Sequence, residues 1–386
     1  MFYPYEHLTW GEINLSNISE NVRNLKNMTE KSVKFMAVVK ADGYGHGAVE
    51  VARTALKSGA DMLGVARIDE ALKLRYANIK SPVLIFGLTP YKMIPALWEY
   101  DLIATVFDYG IAQALSDVAR QNNQRIKVHI KIDTGMGRVG LVANKELGFP
   151  LNNVVKEIIK IKNLTGIDLQ GIYTHFSAAD EKDKSYAKKQ LEIFLDCLNR
   201  IKDAGIHIEL RHCANSAALI SLPETHLNLV RSGIAIYGLY PAEGIDQNKI
   251  ILKPALSLKT KIILLKKVPA GFKVSYGCTF ETIQTSLLAT VPIGYADGYS
   301  RSFSLNGEML VRGKRAEVVG RVCMDQLILD VTHIKDVALD DEVVIIGSQG
   351  EETISADELA TKSKTINYEI VSSILPRVPR IYKNPY

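Results

Sequence analysis

From residue 36 to about 240 the chain alternates short apolar runs with helical patterns, and nothing else in it constrains the fold as strongly. The runs at 36–40, 62–66, 83–86, 103–107, 127–133, 169–176, 207–214 and 227–231 read as eight strands. Amphipathic stretches separate them. Ala48, Val51, Ala52 and Ala55 share one helix face, and Leu191, Phe194, Leu195 and Leu198 share another, each at i, i+3, i+4, i+7 spacing. Eight strand–helix units in about 200 residues predict an α/β fold, a (β/α)8 TIM-type barrel. An open doubly wound sheet alternates in a similar way, so the count alone leaves both architectures standing.

After residue 245 the texture changes. Segments 255–268, 286–294 and 316–331 are rich in β-branched residues, carry period-two stretches and are punctuated by turn residues. They predict a second, mainly-β C-terminal domain. The expected boundaries are 11–243 for the barrel and 1–10 plus 244–386 for the β domain, the leading residues joining it as a strand. One late helical pattern, at 354–363, has Ser355 as its N-cap and Glu358 at the capping-box position.

Composition narrows the partners. The 386 residues carry a net charge of +5 with no polybasic run, so neither nucleic acid nor a membrane surface is expected as a partner. No stretch reaches the ~18 uninterrupted apolar residues of a membrane span. The first residues lack the basic and apolar regions of a secretory signal, which points to the cytoplasm. Cys197, Cys213, Cys278 and Cys323 show no CxxC spacing, as suits a reducing compartment.

Barrel enzymes place their chemistry at the C-terminal ends of the strands. Those ends offer Lys40, Lys131, Asp133, Arg138, His175, His212, Ser216 and Arg231. So basic a set suits an anionic, electron-accepting cofactor better than a divalent metal, and no metal is expected. A strand-end lysine is most often a surface lysine. Lys40, however, sits in an apolar strand that runs into a turn with glycines at 43, 45 and 47. Lost solvation there would lower its pKa and free the amine for Schiff-base chemistry. Tyr44 and His46 read equally well as loop-packing residues. GMGRVG (135–140) matches the dinucleotide fingerprint formally, but no helix starts at its glycines, so it reads as a loop presenting Arg138. Ser216 and Gly233 follow strands seven and eight, the usual phosphate position of a barrel; an ordinary N-cap and a turn glycine would look the same.

Ten segments in order resemble the alanine racemases: AVVKADGYGHG, KIDTGMGRVG, YTHFSAADE, CANSAA, VRSGIAIYGLYP, VSYGCTF, PIGYADGY, GRVCMDQ, NYEI and RVPRIY. The resemblance spans nearly the whole chain. It implies pyridoxal 5'-phosphate as cofactor, carried by Lys40 as a Schiff base, and a two-base interconversion of L- and D-alanine with Lys40 and Tyr276 on opposite faces. It further implies that Arg231 faces the pyridine nitrogen and hydrogen-bonds His212, that Arg138 meets the phenolic oxygen, and that His175 lies near Tyr276. Tyr44, Ser216, Gly233, Ile234 and Tyr382 would hold the phosphate. Lys131 matches a lysine often carrying a carbamate that braces Arg138. Met324 and Asp325 would line the substrate side. Tyr276, Met324 and Asp325 act in the partner's site in this family, which implies a head-to-tail homodimer with shared active sites. Supply of D-alanine for peptidoglycan is the family's role, with serine as a minor substrate.

Asp42-Gly43 departs from the Asn-Ala common after the lysine, a position that bears on substrate range. Among rivals, barrel decarboxylases place an acidic residue where this chain has Arg231. A non-catalytic pyridoxal-phosphate protein would lack the second domain and Tyr276. A sugar-phosphate barrel enzyme would explain the phosphate loops but not the two-domain set of motifs.

Overall fold

Val-, Ile- and Leu-rich runs with no polar alternation are what a parallel strand covered on both faces requires. In a computed structural model describing residues 7–144 and 148–384, each of the eight runs forms a parallel strand, although those at 126–133 and 167–173 interleave polar residues. They are β1 (Lys34–Val38), β2 (Met62–Val65), β3 (Val83–Ile85), β4 (Ile103–Val106), β5 (Ile126–Asp133), β6 (Ile167–Tyr173), β7 (Leu210–His212) and β8 (Leu229–Ser232). All pair in parallel in the order β8-β1-β2-β3-β4-β5-β6-β7. The Arg231 amide donates to the Ala214 carbonyl at 3.1 Å and the Arg211 amide to Asn228 Oδ1 at 2.7 Å, joining the β7 and β8 segments. Sequential order with joined ends makes a barrel and removes the open doubly wound alternative.

The helix Ala48–Lys57 buries Ala48, Val51, Ala52 and Ala55, the expected face. The helix Ser185–Asp203 departs from expectation. Its buried stripe is Ala187, Gln190, Leu191, Phe194, Cys197 and Ile201, while Leu195 is exposed and Leu198 half-buried. Gln190 is the reason. Its Oε1 accepts from the Ser177 amide at 3.0 Å and its Nε2 donates to the His175 carbonyl at 3.1 Å. Those bonds satisfy a buried amide and set which side of the helix faces inward.

By contact density the chain divides into two units: Asn17–Gly43 with Ala48–Pro254, and Met1–Ser16 with Tyr44–Gly47 and Ala255–Tyr386. Residues 1–6, most of the leading segment expected to join the β domain, lie outside the described residues. In the second unit the strand Thr9–Asn14 pairs antiparallel with Leu256–Lys261 and parallel with Arg380–Lys383 in a mostly antiparallel sheet. A separate hairpin, Lys273–Val274 against Phe280–Glu281, carries Tyr276 in its connection.

Ser355 Oγ accepts from the Glu358 amide at 3.0 Å, capping the helix Ala356–Ser363. The Glu358 carboxylate turns instead to Arg315, at 2.6 and 3.1 Å. A second late helix, Asn367–Ser372, was not anticipated, because six residues are too few to show a 3.6-residue period. Among the described residues no helix is long and apolar enough to cross a membrane.

Candidate active site

The first strand stops at Val38, two residues before Lys40. The backbone then enters a left-handed turn, with φ of 52° at Ala41, 50° at Asp42, 64° at Gly43, 50° at Tyr44 and 81° at Gly45. Each non-glycine residue there costs roughly 1–2 kcal/mol, so the turn needs outside support. Asp42 Oδ1 accepts from the Ala48 amide at 3.2 Å and from Lys73 Nζ at 2.6 Å, and Glu70 Oε1 accepts from the Ala41 amide at 2.6 Å. Lys40 itself is half-buried. Lost solvation, then the nearby Arg138 charge, push its amine below the ordinary lysine value; Glu70 opposes them.

At the centre of the barrel lies Arg231, 3% exposed. Its Nη1 donates to His212 Nδ1 at 2.9 Å and its Nη2 to the Thr174 and Cys213 carbonyls at 2.9 and 3.0 Å, with His175 Nδ1 also 3.2 Å from Nη2. A guanidinium only donates, so both Nδ1 atoms are acceptors and the two rings carry their proton on Nε2. His212 Nε2 then donates to His129 Nδ1 at 2.9 Å. His129 is thereby also an Nε2–H tautomer, and its buried Nε2 finds no partner. Burial, with Arg231 as the second cause, lowers His129 to about 3 and holds His175 and His212 well below the ordinary histidine value. Burial also lowers Arg231, to about 10, which leaves it charged at neutral pH. Its Nε carries no hydrogen bond among the described residues.

Tyr173 completes this centre. Its ring stacks on His212, with centroids 4.7 Å apart and planes 6° from parallel, and its hydroxyl is 3.0 Å from Thr105 Oγ1. Lys131 Nζ and Arg231 Cζ lie 5.1 and 5.3 Å from the ring centroid. Lys131 Nζ is buried without a hydrogen-bond partner. Burial, then Arg231 and Arg138, bring its pKa down to about 7 against a smaller opposing pull from Asp133.

Sequence reasoning named Lys131, Arg138, His175, His212 and Arg231 but passed over His129, Tyr173 and Glu70. For His129 a signal existed. His129, Lys131 and Asp133 are two apart on β5, so they share a face. Nothing comparable marks Glu70, which reads as an ordinary first-turn acid of the helix Ile68–Tyr76.

Arg138 sits on the loop that follows β5. Asp133 Oδ1 accepts from the amides of Gly135, Met136 and Gly137 at 2.9, 2.8 and 3.1 Å, and Oδ2 from that of Arg138 at 3.2 Å. The amides of the GxGxxG-like segment are thus filled by an internal carboxylate, and the next helix starts only at Leu151. The amides of 135–138 are therefore not open to cradle a phosphate.

Ser216 is not an N-cap. Asn215 caps its helix, accepting from the Ala218 amide at 2.9 Å, while Ser216 Oγ accepts from the Gly233 amide at 2.9 Å and lies 3.3 Å from Ser232 Oγ. Ile234 opens the 3₁₀ turn Ile234–Tyr237, so its N–H lies outside that turn's own bonds.

In the second unit Tyr276 and Met324 are 71% and 52% exposed. Asp325 accepts from Arg377 Nη2 at 2.8 Å, and Arg377 Nε donates to the buried Asp297 at 2.5 Å. Tyr382 stands opposite Ile13, and a Cβ on Gly47 would lie 1.9 Å from its hydroxyl. The Tyr44 ring is 6.1 Å from that of Tyr368. His46 is buried with Nδ1 2.9 Å from the Tyr44 carbonyl, a loop-packing position.

A closed barrel with Lys131, Arg231 and neutral histidines buried at its strand ends, and Lys40 half-buried beside them, defines the class: a (β/α)8 protein that gathers cations where the barrel enzymes place their chemistry. Residues 13–241 match the family described as alanine racemase, N-terminal domain, and residues 255–382 its C-terminal domain. The chain is 49% identical over 373 residues to the alanine racemase of Desulforamulus reducens, covering 97% of this chain and 98% of that one. It superposes on the alanine racemase of Bacillus anthracis with bound L-Ala-P at a TM-score of 0.93 and 40% identity, covering 99% and 96% of the two chains. A histidine racemase of Leuconostoc mesenteroides gives 0.88 at 28% identity, with 99% of each chain covered. The chain belongs to the alanine racemase family and is a racemase.

Proposed function

We propose that this protein interconverts L-alanine and D-alanine with pyridoxal 5'-phosphate as cofactor, each site using Lys40 of one subunit and Tyr276 of its homodimer partner. The observation that carries this is Arg231: a buried cation held by carbonyls and neutral rings, with Nε left without a partner among the described residues. That nitrogen fits the ring nitrogen of the cofactor. Ser216, Gly233 and Ile234, with Tyr44 and Tyr382, would hold the phosphate, Arg138 the phenolic oxygen, and the Lys40 amine the aldehyde carbon. When bound, the cofactor delocalises the charge left by a departing α-proton.

Racemisation takes a proton from one face of the α-carbon and returns one to the other, so it calls for two acid–base groups. The lowered amine of Lys40 suits one face and the Tyr276 hydroxyl the other. Arg231 can donate a hydrogen bond but does not give up its proton, so facing the ring nitrogen it would leave that nitrogen unprotonated and the electron sink weak, favouring return of the proton over side reactions. Met324 and Asp325 would flank the substrate, and the bulk of Tyr382 would select a small side chain. Lys131, partnerless and near neutrality, is the amine to carry a carbamate and brace Arg138. Serine is the expected minor substrate, cell-wall peptidoglycan the destination of the D-alanine and the cytoplasm its place of work.

The histidine racemase neighbour and the Asp42-Gly43 departure make a larger substrate the second reading. One assay separates them. Purified protein loaded with pyridoxal phosphate is given L-alanine, L-serine, L-histidine and L-lysine, and products are resolved by chiral chromatography. D-alanine should dominate; its absence, or a decarboxylated product, overturns the proposal. Tyr276→Phe should slow exchange by about 10²-fold or more while cofactor affinity holds. Equal loss of both would make Tyr276 structural.

A further inference from the structure

We propose that Glu70 is a positioning residue for Lys40, its carboxylate clamping the left-handed turn that carries the lysine onto the end of the neighbouring strand. Glu70 lies in the first turn of the helix Ile68–Tyr76, and one of its oxygens does what a first-turn acid ordinarily does. Oε2 accepts from the amides of Ala66 and Arg67, at 2.7 and 3.0 Å, closing the helix start just after β2. The other oxygen leaves its own element. Oε1 reaches the amide of Ala41, the residue after Lys40, at 2.6 Å.

One carboxylate therefore ties two strand ends together at the point where the backbone turns left-handed. Ala41 is the first residue of that run, and its N–H points out of the turn rather than back into the strand, so an outside acceptor must meet it. Asp42 is braced separately by Ala48 and Lys73, and among the described residues the Ala41 amide is met by Glu70. Glu70 also pulls the pKa of the Lys40 amine upward, against burial and Arg138. The sequence offers Lys, Gly and Asp around the turn, but the residue that fixes where Lys40 leaves the strand comes from thirty positions onward.

The inference rests on Lys40 being the amine that receives the cofactor, and the test keeps the two apart. Amide hydrogen exchange of the full chain is followed at Ala41, Ala66, Arg67 and Leu74. Separately, cofactor-free protein is mixed with pyridoxal phosphate, reduced with borohydride at intervals, and the labelled peptide identified by mass. In Glu70→Ala, exchange at Ala41 should quicken at least about ten-fold while Leu74 stays as in wild type. Capture at Lys40 should slow by a similar factor of about ten.

Glu70→Gln keeps a single acceptor oxygen and should fall between the two, which also decides the matter if the alanine variant does not fold. A helix cap without a positioning role would raise exchange at Ala66 and Arg67 only. That result, or a change at Ala41 with capture unaltered, overturns the proposal. If wild-type Lys40 is not labelled at all, the cofactor assignment fails instead, and exchange at Ala41 still reports on the clamp.

Discussion

Arg231 shows what a single residue does here. Its bonds to carbonyls and rings fix the tautomers of His175, His212 and His129, because each ring must offer an acceptor to a group that only donates. Replacing it with glutamate reverses the logic: Arg231→Glu should lose racemisation and gain transamination of alanine to pyruvate, read by product analysis. Undiminished racemisation with no pyruvate would refute the role given to it. Lys131 makes a prediction about stability. It titrates near 7 in the fold against an ordinary 10.5. Between those values the unfolded chain holds a proton the folded chain has released, so this group makes stability rise with pH from 7 to 10.5. Lys131→Met should flatten the slope in urea unfolding at several pH values across that window, in buffer freed of carbon dioxide. A slope equal to wild type would mean the amine does not titrate as a buried lysine.

At the scale of elements, small residues decide what the barrel can hold. Gly171 on β6 faces the His129 ring, and a Cβ there would lie 2.6 Å from three of its atoms. Gly171→Ala should displace His129, free His212 to change tautomer and loosen Arg231, lowering activity more than the ~1–3 kcal/mol of overpacking lowers stability. A crystal structure of the variant checks the ring position; an unmoved His129 with full activity would show that the strand yields instead. The two-residue period of a strand puts His129 on the face of Lys131. The same patterning says nothing about the room Gly171 leaves, since that depends on a neighbouring strand. The helix Ser185–Asp203 shows the same limit. Apolar spacing favours Leu195, yet the bonds of Gln190 to Ser177 and His175 turn that side outward.

For the whole molecule the proposal concerns assembly. Tyr276 and Met324 are exposed in the single chain, unusual for an aromatic and a methionine expected to act on a substrate. If partner subunits complete each other's sites, two inactive proteins should rescue one another. Mixtures of Lys40→Ala and Tyr276→Phe, unfolded and refolded together, should recover about a quarter of wild-type activity, since half the dimers are mixed and each has one intact site. No recovery in mixtures shown to contain mixed dimers would place both residues in one subunit's site.

Sequence alone determined the strand–helix alternation and the family resemblance, because both rest on local or linear information; closure into a barrel rests on the strand order and the β7–β8 bonds. Strand period, helix period and the order of ten motifs survive without knowing which atoms meet. It also named Lys131, His175, His212 and Arg231, though not His129, among the groups that β5, β6, β7 and β8 bring together. Tertiary structure decided the rest. The carboxylate of Glu70 that holds the left-handed path after Lys40, and the proton positions along Arg231, His212 and His129, depend on partners distant in the chain. A hydrogen bond is satisfied in three dimensions, and hydrophobic periodicity carries no record of where its partner will be.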